Sequence, residues 1–205
     1  MTVDQMVEQG LVAIIRAESV PVAVEHGHRL AEEGVRVLEV TFTLPTAAEA
    51  IRELASDLPG VQVGAGTVRT VKQAEDAVEA GAVFLVSPHY GREVGKLARS
   101  LDVPYLPACF TSSELACLLD DGYRVVKLFP AVAYGPDGMR ALGDPFPEAR
   151  FVPTGGIHPD QVGNWLRAGA AAIGMGAALT AAADARAVAR RVLDEVAQIR
   201  GKSGR

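Results

Sequence analysis

The chain has 205 residues, enough for one domain or two small ones, and its 49% hydrophobic and 22% charged composition suits a packed core under a solvated surface. A net charge of -5 leaves no basic footprint for nucleic acid, and no apolar stretch is long and continuous enough to span a membrane. Cys109 and Cys117 make neither a metal knuckle nor a disulfide framework; with no basic, apolar leader at the N-terminus, they read as reduced thiols of a cytoplasmic protein.

Residues 11–16 form the first apolar run, which ends on Arg16. Ser19 before Val20-Pro21 marks the start of a helix over 22–33, and Gly34 stops it. The second run, 35–42, is interrupted by Glu39 and is followed by Thr43. Thr46, with Glu49 three residues on, has capping-box spacing for a helix over 47–57. The third run, 61–68, contains Gly64-Ala65-Gly66-Thr67; a helix over 71–80 follows and Gly81 ends it. The fourth run, 84–89, carries Ser87, Pro88 and His89 ahead of a helix over 93–100. The fifth, 103–110, carries Cys109, with Thr111 just beyond, ahead of a helix over 113–120. The sixth, 123–130, holds Lys127 and Phe129. The seventh, 151–157, contains Thr154-Gly155-Gly156, and the eighth, 171–179, contains Gly174, Gly176 and Ala177, with a helix over 159–168 between them. Residues 201–205 read as a frayed tail, which leaves one domain over 1–200.

Near-continuous apolar strands alternating with helices predict a parallel sheet covered on both faces. Eight such steps match a (β/α)8 TIM barrel, here a single compact α/β domain with short loops. A doubly wound sheet would need Gly-x-Gly-x-x-Gly after its first strand; Ala17-Glu18-Ser19 has no glycine, and Gly64-Ala65-Gly66 lacks the third. The latter pair reads as a tight packing position.

In such barrels the chemistry sits at the carboxyl ends of the strands. Lys127 stands among Val125, Val126, Leu128 and Phe129, where desolvation disfavours a charged form. A neutral lysine is a nucleophile that forms Schiff bases with carbonyl compounds. The alternatives are a structural ion pair or an ammonium reaching to the surface. Glu39 interrupts its own apolar run and is the natural counter-charge; the two make either a buried structural pair or an acid–base and nucleophile couple. Thr154-Gly155-Gly156 and Gly174-Met175-Gly176-Ala177 expose backbone N–H groups after the last two strands, the place where this barrel commonly binds phosphate; close backbone packing is the other explanation. Arg16 fits a phosphate or carboxylate, or a rim salt bridge. Thr67 offers a hydroxyl and an N–H to a carboxylate, or serves only as a turn residue. Cys109 has no histidine nearby in sequence and reads as a buried thiol. His26 and His28 point different ways on one helix, and His89 and His158 are isolated, so no metal site emerges.

Val12-Ala13-Ile14-Ile15-Arg16-Ala17, Leu38-Glu39-Val40-Thr41-Phe42-Thr43 and Val63-Gly64-Ala65-Gly66-Thr67-Val68 recur in order with Val86-Ser87-Pro88-His89, Val126-Lys127-Leu128-Phe129-Pro130 and Val152-Pro153-Thr154-Gly155-Gly156-Ile157. Over nearly its whole length the chain thereby resembles the class I aldolases that cleave 2-keto-3-deoxy-6-phosphogluconate, and their 4-hydroxy-2-oxoglutarate-cleaving relatives. The resemblance implies a Schiff base on Lys127, with Glu39 shuttling protons. The imine is the electron sink, so neither metal nor cofactor is required, and the products are pyruvate and glyceraldehyde 3-phosphate. It further implies that Thr67 sits at the pyruvate carboxylate, that Gly155, Gly156 and Gly176 surround the phosphate, that Pro88, Phe129, Thr154 and Gly174 belong to the substrate site, and that the protein is a homotrimer. Two positions depart from the family's pattern. Thr43 replaces a carboxylate-gripping arginine, which shifts that task to Arg16 or to backbone and threonine donors. Ala177 replaces a phosphate-binding serine, which favours an unphosphorylated keto acid as an alternative; 2-keto-3-deoxy-6-phosphogalactonate is a further one, because the sequence does not separate gluconate-type from galactonate-type substrates. Readings from another class are a phosphosugar isomerase using Glu39 with Cys109 or His89, and a non-catalytic assembling barrel.

Overall fold

The structure is a computed structural model that describes residues 2–181 and 184–203. In chain order its elements are α1 (Val3–Glu8), β1 (Leu11–Ile15), α2 (Val20–Glu32), β2 (Val37–Thr41), α3 (Ala47–Asp57), β3 (Gln62–Gly66), α4 (Val71–Glu79), β4 (Leu85–Val86), α5 (Arg92–Ser100), β5 (Tyr105–Leu106), β6 (Ala108–Cys109), α6 (Ser112–Asp120), β7 (Val125–Leu128), α7 (Gly135–Gly143), β8 (Arg150–Pro153), α8 (Val162–Arg167), β9 (Ile173–Met175), α9 (Ala177–Thr180) and α10 (Ala185–Ser203). All strand pairs are parallel. A six-stranded sheet has the order β5-β4-β3-β2-β1-β9, and a three-stranded one the order β6-β7-β8. This is the parallel α/β sheet that the alternating runs predict. The fifth run, however, is divided into β5 and β6 at Pro107, which has no N–H for a ladder. Its carbonyl still accepts from the Lys127 N–H at 2.9 Å. Between β8 and β9 the contacts are a parallel bridge, Thr154 to Gly174, and a hydrogen bond from the Ala171 N–H to the Phe151 carbonyl at 2.8 Å.

The period of two along each strand sorts side chains into two apolar clusters. Ala13, Leu38, Val40, Val126 and Leu128 join the larger one, packed under the helices. Val12, Val37, Val125 and Val152 join the second, with Phe84 and with Met6 and Val7 of α1. One step further along those strands, on the same face, stand Ile14, Glu39, Lys127 and Thr154. The apolar layer therefore forms the floor on which a polar layer is carried.

Several local expectations are corrected. Ser19 precedes α2 but makes no side-chain cap bond; Pro21, at the second helical position, has no N–H to give. Thr46 also fails to cap, because its φ of -97° and ψ of 27° are not the extended backbone a capping side chain needs. Its carbonyl accepts from the Glu49 N–H instead. Capping by hydroxyl occurs at Thr2, Thr70 and Thr111. Gly34 and Gly81 do take left-handed backbone, at φ +92° and +97°. Helices α1 and α7 were not legible: α7 carries Gly135, Pro136, Gly138 and Gly143, which read locally as loop, yet it buries Met139. Helix α10 continues through Ser203, three residues into the stretch expected to fray; residues 204 and 205 lie outside the described ones. Among the described residues no helix is long and apolar enough to cross a membrane.

Candidate active site

Lys127 is held in β7 between Ala108 of β6 and Val152 of β8, and Glu39 in β2 between Ile14 of β1 and Gly64 of β3. Register and alternation send both side chains onto the inner face. Lys127 Nζ lies 3.8 Å from Glu39 Oε1, with the two side chains only 7% and 3% exposed. That separation is an ion-pair contact too long for a hydrogen bond, so the Lys127 amine is not tied to its neighbour. It also lies 5.4 Å from the centre of the Phe129 ring. Burial pushes the Glu39 carboxyl above its ordinary range, against the opposing pull of Lys127 and Arg16. A carboxyl raised in this way holds a proton more readily than an exposed one, which suits a general acid.

The room for Glu39 is made by an absence. A Cβ at Gly66 would lie 1.9 Å from Glu39 Oε1 and 2.5 Å from its Cγ and Cδ, and one at Gly64 would lie 2.5 Å from the Phe84 ring. Both glycines are the tight packing positions that the sequence indicates. Thr67, directly after, has φ +56°, an outlier for a β-branched residue; such strain clusters at functional sites.

Above the pair opens a cavity of about 780 Å³. Its lining includes every site residue expected from sequence: Arg16, Glu39, Thr43, Thr67, Pro88, Lys127, Phe129, Thr154, Gly155, Gly156, Gly174, Gly176 and Ala177. Arg16 is exposed at the end of β1. The Thr43 hydroxyl is 2.7 Å from that of Thr41, which donates to the Ile15 carbonyl at 3.3 Å. Gly155 and Gly156 have φ +94° and +76°, and a Cβ would meet the Phe129 ring at 3.1 Å and Val132 Cβ at 2.6 Å respectively. Among the described residues their N–H groups have no acceptor, so two amide dipoles remain for an anion. At Gly174 a Cβ would come within 2.1 Å of the Thr154 hydroxyl.

Sequence reasoning missed Ile14, Ile157, His158, Met175, Ala178, Thr180 and Ala181, which also line the cavity. Ile14 had a signal in its spacing of two from Arg16; His158 had one in its position just after the glycine pair. Neither Cys109 nor His89 lines the cavity, so the acid–base partners of the isomerase reading are not brought to Glu39. The Cys109 thiol is buried, and burial pushes it up to about 12, as fits a structural thiol. Among the described residues no group of three or more histidine, cysteine or carboxylate side chains is placed to hold a metal ion.

Comparison with known proteins agrees with this geometry. A model of the KDPG and KHG aldolase family matches residues 3–199. The chain is 39% identical over 157 residues to the 2-dehydro-3-deoxy-phosphogluconate aldolase of Treponema pallidum (strain Nichols), covering 76% of this chain and 75% of that one. Among solved structures it is similar to the 2-keto-3-deoxy-6-phospho-gluconate aldolase of Zymomonas mobilis ATCC 29191, with a TM-score of 0.86, 31% identity, and coverage of 94% and 96% of the two chains. It is also similar to the KDPG aldolase of Legionella pneumophila solved with pyruvate captured as a covalent carbinolamine, with a TM-score of 0.81, 29% identity, and coverage of 96% and 97%. A family match across nearly the whole chain, with the buried lysine and glutamate at the floor of one cavity, establishes that this chain belongs to the KDPG and KHG aldolase family.

Proposed function

We propose that the chain is a class I aldolase cleaving 2-keto-3-deoxy-6-phosphogluconate to pyruvate and glyceraldehyde 3-phosphate, with 4-hydroxy-2-oxoglutarate as a second substrate. The observation that carries the reading is the buried Lys127–Glu39 pair, 3.8 Å apart at the floor of the cavity. The trapped carbinolamine in the Legionella pneumophila relative supports an amine nucleophile. We also read the two sheets as one closed (β/α)8 barrel, continuous through Pro107 and joined between β8 and β9.

In this reading the Lys127 amine adds to the C2 ketone. Protonated Glu39 gives its proton to the departing hydroxyl, and water leaves to form a protonated imine. The Glu39 carboxylate then takes the proton of the C4 hydroxyl. The C3–C4 bond breaks, and its electron pair moves into the imine to form an enamine as the aldehyde departs. Glu39 returns the proton to C3, and hydrolysis of the imine frees pyruvate and Lys127. A carboxyl raised by burial suits both directions of transfer. Arg16, Thr43 and Thr67 serve the carboxylate; Gly155, Gly156, Gly176 and Ala177 serve the phosphate; Pro88, Phe129, Thr154 and Gly174 wall the space between. The resemblance also carries a homotrimer in the cytoplasm, and light scattering that reports a monomer at working concentration would remove the trimer.

The test is borohydride reduction in the presence of pyruvate, followed by intact-mass and peptide mass spectrometry. A reduced pyruvyl adduct on Lys127 is expected. Folded protein that gives no adduct, beside a lysine aldolase that does, overturns the proposal.

A further inference from the structure

We infer that His158, held by Asp160 at the rim of the Lys127 cavity, is a specificity-determining residue that selects substrates carrying a phosphate at their far end. The inference rests on the aldolase reading and deepens it. The charged or titratable side chains lining the cavity are Arg16, Glu39, Lys127 and His158. Glu39 and Lys127 form the reacting pair, and Arg16 is engaged at the carboxylate. His158 remains, two residues from Gly156, in the same segment whose amide groups await an acceptor.

The local chemistry prepares the ring for a ligand. His158 Nδ1 lies 2.5 Å from Asp160 Oδ1, and this contact holds the Asp160 carboxyl below its ordinary range. An ionised carboxylate only accepts, so Nδ1 carries the proton. Nε2 has no protein partner among the described residues, and the ring is 70% exposed at the rim. The His158 N–H donates to Gln161 Oε1 at 3.1 Å, which anchors the backbone. Of the other side chains at this end, Ala177 and Ala178 offer no polar atom and Thr180 only a hydroxyl. Nε2 can meet a phosphate as a donor from the imidazolium, or as an acceptor from a monoprotonated phosphate. A substrate ending in a neutral hydroxymethyl group forfeits the charged form of that contact.

The experiment compares 2-keto-3-deoxy-6-phosphogluconate with 2-keto-3-deoxygluconate, which differs only in the phosphate, for the unsubstituted chain, His158→Ala and His158→Gln. The unsubstituted chain should show the lower KM for the phosphorylated substrate. In His158→Ala that preference should shrink by about tenfold or more, the range for one charge-assisted hydrogen bond, through KM, with kcat changed by less than about threefold. His158→Gln keeps a side-chain donor and should restore part of it. Pyruvate trapping on Lys127 in each variant shows that the reacting end is intact. An unchanged preference in a His158→Ala protein that still traps pyruvate overturns the inference, and so does an unsubstituted chain with no preference. Failure of the unsubstituted chain to trap pyruvate refutes the aldolase reading instead.

Discussion

Gly66→Ala is the sharpest probe of how Glu39 is positioned. The new Cβ would stand 1.9 Å from Glu39 Oε1, against an ordinary carbon–oxygen contact of roughly 3.4 Å. The carboxyl would have to retreat by roughly 1.5 Å, and misplacements of about 1 Å at a reacting group cost on the order of 10²-fold. Any such retreat carries the carboxyl off the position it holds 3.8 Å from Lys127 Nζ. The expected outcome is a kcat lowered by about 100-fold, or ~2.7 kcal/mol of barrier, with an overpacking cost of ~1–3 kcal/mol in stability. Gly64→Ala is the control. Its Cβ meets the Phe84 ring at 2.5 Å, within the apolar floor, so it should cost stability of the same order while folded enzyme keeps its kcat. The assay couples pyruvate release to lactate dehydrogenase and normalises to folded protein by circular dichroism. A Gly66→Ala protein with kcat within about threefold of the unsubstituted chain would refute the reasoning.

Lys127→Met should form no pyruvyl adduct and lose roughly 10⁴-fold or more in turnover. It should stay folded, because Glu39, already raised by burial, takes a proton and spares part of the ~3–5 kcal/mol of a broken buried pair; activity, trapping and a thermal melt check all three points. For Glu39 the pH signs differ between activity and stability. The acid limb of kcat should lie above the usual 4.5, since the carboxylate must be free to take the C4 hydroxyl proton. Stability should be fully present below 4.5 and fall as pH rises through the raised folded value, because over that window the folded state binds the proton more tightly than the unfolded one. Urea midpoints measured against pH should show this slope, and Glu39→Gln should remove it. Iodoacetamide at pH 8 should label exposed Cys117 and spare Cys109, whose thiol is buried and pushed up to about 12; peptide mapping that finds Cys109 modified in native protein would contradict that burial.

The strand–helix alternation, the parallel sheet and the two buried charges that meet, Lys127 and Glu39, were legible in the sequence, because desolvation and period-two alternation are local properties. Lys127 and Glu39 each interrupt an apolar run, and Val125 and Val37, two residues earlier on the same face, reveal which way they point. The glycines were legible as tight positions, but what each one accommodates was not. Only the tertiary structure sets Gly66 under Glu39 and Gly174 against the Thr154 hydroxyl, since those contacts depend on strand register between distant segments. The cap at Thr46 failed for a reason of backbone geometry that residue type does not encode, whereas Ser19 has extended backbone but a proline where one of the helix's first donors would stand. Helix α7 formed despite three glycines and a proline because packing of Met139 outweighs local propensity. His158 looked like an isolated loop residue until the fold brought its segment to the cavity rim. The residue types alone thus determined which chemistry this chain can hold, while the register of its strands decided which groups meet, because contacts between segments far apart in the chain exist only once the sheet is assembled.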